Sequence, residues 1–504
     1  MRTMTVTAQR GTHRRWYTPH RAAVLAAVVA GCIWLVVLPR VLVRLNPLTG
    51  DEPFYVMTAL SLIREHTLDE TRAYTLDRLF LSFYPPNPLP ADWQGWPSFP
   101  NPLPPHAAHS RLPGLHTKHG LGLSLLIALP WALGGRLLTE LTLLAIAVLV
   151  TANMALLASE AGAPPWLAAL LAVALAVVMP IGPYAFLIFP ELPAALALLY
   201  AVRRLAAPAN ARWQWLLAGL GIGFLPWLHQ RFVFSAAILG LVALGRLVQA
   251  WRQAADWHRP LWAVVPAALG GLGIVAYNLW LYGTPWENPA DHAGFSGLVG
   301  TLNGAAGLLL DAQWGLWIAA PVTILALTAL PWWLAADHSR AQLALAALAP
   351  YLILVAAYRV WWGEWGPPAR YLVPVVPFAA GSLGAWLSRA HGWSARLGWL
   401  IGGLLWVWGA ALTVVGYLDP QRFYHHPDGV NKLVKALTTS FGHDLSGWLV
   451  AYQFYHPSPV PLRLAAAALA ASAVLLALVL VGPPPTRQPS PQPLVSRYNE
   501  PSGG

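Results

Sequence analysis

The stretch "NPLTGDEPFY", residues 46–55, sets Asp51 and Glu52 side by side where the first long apolar run ends. Only 10% of the chain is charged, so two adjacent acids at such a boundary are conspicuous. Other polar residues stand close to the ends of later apolar runs. They are Lys118 and His119, Glu191, His229 and Arg231, Asp311, and Arg359, Glu364 and Arg370. Ionisable groups near a hydrocarbon boundary are costly and usually face a cavity or each other. A set converging from several turns therefore points to one outward-facing pocket that holds something anionic.

Each residue also has a purely structural reading. Glu52-Pro53 fits a helix N-cap followed by proline at the first helical position, and Asp51 or Glu191 would cap equally well. Arg359 and Arg370 flank "VWWGEWGPPA", which would serve as an aromatic interface belt with snorkelling arginines. Asp311 fits an ordinary loop. His229 and Arg231, in "LPWLHQRF", differ, because a plain turn between two helices needs no arginine. Lys118 is one of only three lysines.

The elements that must position these residues are membrane helices. The chain has 504 residues, of which 57% are hydrophobic, well above a soluble domain of this length. Apolar runs long enough to cross a bilayer recur throughout. The N-terminal segment 1–21 carries Arg2, Arg10, Arg14, Arg15 and Arg21, so it is expected in the cytoplasm, with the first helix running outward over 22–43. A proline-rich, aromatic outer loop follows, 45–137. Within it, 119–135 is short and interrupted by glycines and Pro130, which reads as a re-entrant or surface-lying helix. Further crossings are expected near 138–157, 166–181, 191–204, 213–228, 232–248, 261–281, 315–335, 341–358, 371–388, 397–417 and 462–482. With the first, they make about twelve. Arg212, Arg246, Arg252, Arg259, Arg340, Arg389 and Arg396 then all fall inside.

The expected architecture is thus an all-α integral membrane protein, with a transmembrane domain over 22–482. A late outer loop spans 418–461, and "GVNKLVKALTTSF" would form a short helix in it. Both termini are cytoplasmic, and 483–504 is a disordered tail by composition. Cys32 is the sole cysteine, which excludes intramolecular disulfides. Arginine- and alanine-rich, lysine-poor usage suggests a GC-rich bacterium, hence its inner (plasma) membrane.

Four features resemble the GT-C superfamily of polytopic glycosyltransferases, on the branch with protein O-mannosyltransferases and aminoarabinose lipid transferases. Asp51-Glu52 leads into "PFYVMTALSLIREHTLD", a helix expected along the membrane. "HTKHGLGLSLLIALPWALGG" precedes the second crossing. "LIFPELPAAL" carries an acid at an outer turn, and a late outer loop ends in "PARYLVPVVPFAAG". The resemblance spans residues 20 to 390 and implies sugar transfer from a polyprenyl-phosphate donor on the outer face. The acceptor would be a lipid, a glycan or a protein.

An inverting transfer needs a general base within reach of the acceptor hydroxyl. It also needs positive groups for the departing phosphate, a role that suits arginine. On this resemblance Asp51 is the expected base, and Glu52 orients it or caps the helix. Arg231 and Arg370, supported by Lys118 and Arg359, bind the donor phosphate. His119, Glu191 and His229 hold sugar hydroxyls or the acceptor. The chain departs from the closest branches in lacking a separate soluble outer domain.

The competing class is a transporter or flippase of a lipid-linked or anionic substrate. Such proteins often show two related halves, and the long outer loop occurs once here. A nucleic-acid partner is disfavoured, because the arginines lie in short loops between apolar runs. Walker-type and dinucleotide-binding glycine patterns are absent. The outer acids and histidines could hold a divalent cation, but HExxH, paired CxxC and a DxD in the first outer loop are all lacking, so no metal is assigned.

Overall fold

The computed structural model describes residues 18–45, 48, 50–75, 106–286, 294–453 and 455–484. The segment 1–17, the proline-rich part of the outer loop at 76–105 and the tail from 485 lie outside the described residues. The described part is almost wholly α-helical. Its one sheet is a two-stranded antiparallel ribbon, Ala107–Ala108 with His116–Thr117.

Among the described residues seven helices are long and apolar enough to cross a membrane: Pro19–Arg44, Leu121–Glu160, Gln230–Arg252, His258–Leu281, His338–Ala357, Ala395–Leu418 and Val460–Val481. The first shows why. Thr18 accepts a hydrogen bond from the Arg21 amide and Pro19 opens the helix, so the start is capped and pre-set. Ala22, Ala26, Ala30, Trp34, Leu38 and Val41 form a stripe buried against the protein. Yet Val28, Val36 and Val43 on other faces are exposed. A helix apolar all round, with one stripe packed and the rest bare, is suited to lipid. The chain is a membrane-embedded helical protein.

Several expected crossings take other forms. Glu191–Leu205 has 15 residues, Arg212–Leu228 has 17 and Pro165–Ala176 has 12. At a rise of ~1.5 Å per residue these fall short of the ~30 Å hydrocarbon core. The run 315–335 is not one helix but three pieces, Leu316–Ala319, Thr323–Thr328 and Leu330–Ala336. The run 371–388 begins as 3-10 turns, Arg370–Leu372 and Val376–Phe378, before the helix Ala379–Leu387. Pro321, Pro331, Pro374 and Pro377 punctuate these runs. Proline offers no amide hydrogen and clashes with the preceding turn, so hydropathy alone overstated the helices.

The segment 119–135 is helical from Leu121 and breaks at Gly134 (φ −153°) and Gly135 (φ +58°) before continuing to Glu160. The helix expected along the membrane is Glu52–Leu60, and every residue of it is buried. The rest of the segment expected along the membrane continues as Ser61–Glu65, which is only partly buried, with Arg64 exposed. In the loop 418–461 the expected short helix spans Lys432–Thr439, where Asn431 accepts from the Leu433 and Val434 amides.

The helices share two polar ends. Leu121–Glu160, Glu191–Leu205 and His338–Ala357 each have one end beside Asp51, Glu191 or Tyr358. At their other ends Glu160 pairs with Arg203 at 2.7 Å and with Arg340 at 3.3 Å, and Arg340 also bonds Asp337. Apolar packing fills the space between.

Candidate active site

Gly50 fixes the approach to Asp51. Its φ is +62°, and a Cβ there would lie 2.5 Å from the Trp365 carbonyl oxygen. Only glycine adopts that conformation at no steric cost, so the chain turns directly against the segment that carries Arg370. Asp51 then opens the helix Glu52–Leu60, with its backbone carbonyl accepting from Phe54 and Tyr55. Its carboxylate makes no capping bond. Oδ2 instead accepts from Arg370 Nη2 at 2.6 Å.

Arg370 is held on three sides. Nε donates to Glu191 Oε1 at 2.9 Å and Nη1 to the Gly363 carbonyl at 3.2 Å, and the guanidinium lies 4.2 Å from the centre of the Phe189 ring. The turn that presents it is strained, since Glu364 and Ala369 have φ of +48° and +58°. Non-glycine residues there cost about 1–3 kcal/mol each and recur at functional sites. Arg231 Nη2 donates to the same Glu191 Oε1 at 2.7 Å, and its guanidinium stacks 4.5 Å from the Tyr371 ring. The result is one ion chain, Arg231–Glu191–Arg370–Asp51. Glu191 is fully buried, whereas Asp51 keeps 27% of its side chain exposed.

Partial burial alone would raise the Asp51 carboxyl. The Arg370 guanidinium, aided by His119 and His106, overrides this and holds it well below the usual carboxylate range. Asp51 is therefore an ionised carboxylate at any ordinary pH.

The opposite wall comes from the segment that precedes Leu121. In the small ribbon Ala107 pairs with Thr117 and Ala108 with His116. Antiparallel pairing continues the ladder outward, so His106 is brought beside Lys118 and His119. The Tyr282 hydroxyl donates to the Thr117 carbonyl at 3.0 Å. Gly120 lets the strand end touch the turn at His229, because a Cβ there would lie 2.4 Å from the Leu228 carbonyl. The His106 and His119 rings stack at 4.7 Å, and Phe54 covers His106 at 4.3 Å. His229 begins the turn Gln230–Phe232, where its Nδ1 accepts from the Arg231 amide at 3.3 Å.

Between these walls lies a polar cleft of about 160 Å³, bounded by Asp51, His106, Lys118, His119, His229 and Arg370, with Tyr55, Tyr358, Glu364 and Tyr371 completing it. Asp51, Lys118, His119, His229 and Arg370 thus converge, as their types suggested.

The remaining expected residues are placed differently. Glu52 is buried away from the cleft and accepts the Ile188 amide at 2.9 Å, fixing the loop that leads to Glu191. Glu191 and Arg231 stand behind the cleft wall, engaged with each other. Arg359 is exposed and does not line the cleft. Asp311 is buried elsewhere, accepting amides from Gln313, Trp314, Tyr452 and Gln453.

His106 and Tyr55 are cleft residues that sequence reasoning passed over. His106 ends a proline-rich loop, with no flanking pattern to mark it.

The arrangement presents a carboxylate, three imidazoles, an ammonium and a guanidinium to a small polar space. It can accept a proton and hold hydroxyl or phosphate oxygens. Arg370 on its wall is shared between Asp51 and Glu191, and Glu191 also engages Arg231 behind it. No family model, curated protein or solved structure matches the chain.

Proposed function

We propose that this protein is a membrane glycosyltransferase of the GT-C kind. It moves a sugar from a polyprenyl-phosphate donor to a hydroxyl acceptor on the outer face of a bacterial plasma membrane. The observation that carries this reading is the half-exposed Asp51 carboxylate, held ionised by Arg370 on the wall of a polar cleft beside the first membrane helix. A lipid donor presents its phosphate at that depth.

In this reading the acceptor hydroxyl lies against Asp51, which takes its proton as the sugar's anomeric carbon is attacked and the bond to phosphate breaks. Asp51 is a weak base, so proton transfer comes late, once the attacking oxygen has become acidic. Lys118 and the outward edge of Arg370 meet the phosphate. His119 and His229 hold sugar hydroxyls. Glu191 and Arg231 position Arg370 rather than touch substrate. The arginine-rich opposite ends of the same helices, at Arg203 and Arg340, suit a cytoplasmic side, and in this reading the cleft faces outward and both termini lie inside. The full set of twelve crossings then includes the short and proline-broken helices, which partner helices shelter within the bilayer.

The test is reconstitution of the native chain in proteoliposomes with a panel of radiolabelled polyprenyl-phosphate sugars and membrane extract as acceptor. Label passing from lipid to acceptor supports the proposal. No transfer from any donor, with labelled lipid moving between leaflets, would replace it with a transporter.

A further inference from the structure

We propose that Asp51, His106 and His119 bind one divalent transition-metal ion of the zinc class. One carboxylate oxygen and one nitrogen from each imidazole lie within 4.8 Å of one another. Two imidazoles and a carboxylate favour zinc, cobalt or iron over magnesium and calcium, which prefer all-oxygen sites.

Zinc bonds at ~2.1 Å in a tetrahedron would bring these ligand atoms to about 3.3 Å apart. A small rotation of the two rings closes that gap. Their positions are already set: the ribbon register brings His106 opposite Lys118, its ring stacks on that of His119, and Gly120 lies against Leu228. Arg370 occupies Asp51 Oδ2, so Oδ1 is the oxygen offered to the ion. A ligand carboxylate fixed by an outer partner is the usual support of a metal site. Three protein ligands leave a fourth position, and here that position opens into the cleft. Such three-ligand sites are the reactive kind, whereas structural zinc is closed by four.

Charge gives a second, independent reason. Arg370 on the cleft wall is already engaged by Asp51 and Glu191, so much of its charge is neutralised within the protein. A dication on one carboxylate and two neutral imidazoles adds positive charge next to Lys118. The binding claim holds whichever reaction the cleft performs. Its consequence for sugar transfer rests on the reading above: the ion would meet a phosphate or hydroxyl oxygen at its open position, and in the metal-loaded form Asp51 would serve as its ligand in place of a free general base.

The experiment uses the purified full-length chain in detergent, stripped with chelator and titrated with Co2+ and then Zn2+. Metal content after gel filtration and the visible absorption of bound Co2+ are read. We expect one ion per chain, a four- or five-coordinate Co2+ spectrum, and displacement by Zn2+ but not by Mg2+. His119→Gln and His106→Gln should each weaken Co2+ binding at least tenfold, while His443→Gln, at an exposed histidine far in sequence, should not. Absence of stoichiometric metal in the native chain would overturn the proposal, as would an octahedral aquo-like spectrum or unchanged binding in the two cleft variants. The native spectrum decides even where a variant fails to fold.

Discussion

Glu191 Oε1 accepts from Arg370 Nε and Arg231 Nη2 at once, joining side chains 179 and 40 residues away in sequence. The carboxylate is fully buried and both guanidiniums nearly so. Removing one member of such a set leaves uncompensated buried charge, which costs about 3–5 kcal/mol. Glu191→Gln should therefore lower the unfolding temperature in detergent markedly, and sugar transfer should fall with the loss of Arg370 alignment. A variant as stable as the native chain would show that the carboxylate charge is dispensable.

Gly50→Ala tests the turn that delivers Asp51. A Cβ at φ +62° and 2.5 Å from the Trp365 carbonyl forces one backbone to move. The strain should cost about 1–3 kcal/mol, and transfer should drop more than stability alone explains. An unfolding temperature and activity both at the native level would contradict the tight contact.

Much of this site was legible before any coordinates. An acid pair at the edge of an apolar run, with Lys118, His119, His229 and Arg370 at other edges, announced a shared pocket. Long-range partner choice was not legible. Nothing local in "LIFPELPAAL" distinguishes a Glu191 that touches substrate from one that holds two arginines. His106 reached the cleft through a ribbon of two residues per strand, too short for any periodic signal. Helix existence was well marked by hydropathy. Helix continuity at 315–335 and 371–388 was not, because apolar composition outweighed the prolines in the reading. The helix Glu52–Leu60 is mostly apolar, with Glu52 and Thr58 as its polar exceptions, and such a composition does not separate an element covered by protein from one that faces lipid.

Glu70 gives a pH prediction away from the cleft. Thr58 Oγ1 has one proton and two oxygen neighbours, the Phe54 carbonyl at 3.0 Å and Glu70 Oε1. Donation from Thr58 favours the ionised carboxylate, but burial outweighs it. Burial accordingly pushes that carboxyl from its ordinary 4.5 up to about 8. The folded chain holds the proton more tightly than the unfolded one. This contribution to stability is fully present below pH 4.5, declines as pH rises, and is gone once pH passes about 8. Unfolding temperature against pH should fall over that window, and Glu70→Gln should flatten the curve. A native profile already flat there would mean that Glu70 is ionised in the folded protein.

The most direct test of the central claim compares the native chain with Asp51→Asn in proteoliposomes, using whichever labelled polyprenyl-phosphate sugar supports transfer. Donor binding and unfolding temperature are measured on the same preparations. The account predicts that transfer falls by about 100- to 10,000-fold, while the folded protein still binds donor. Transfer at the native rate in Asp51→Asn would contradict it and remove Asp51 from the reaction.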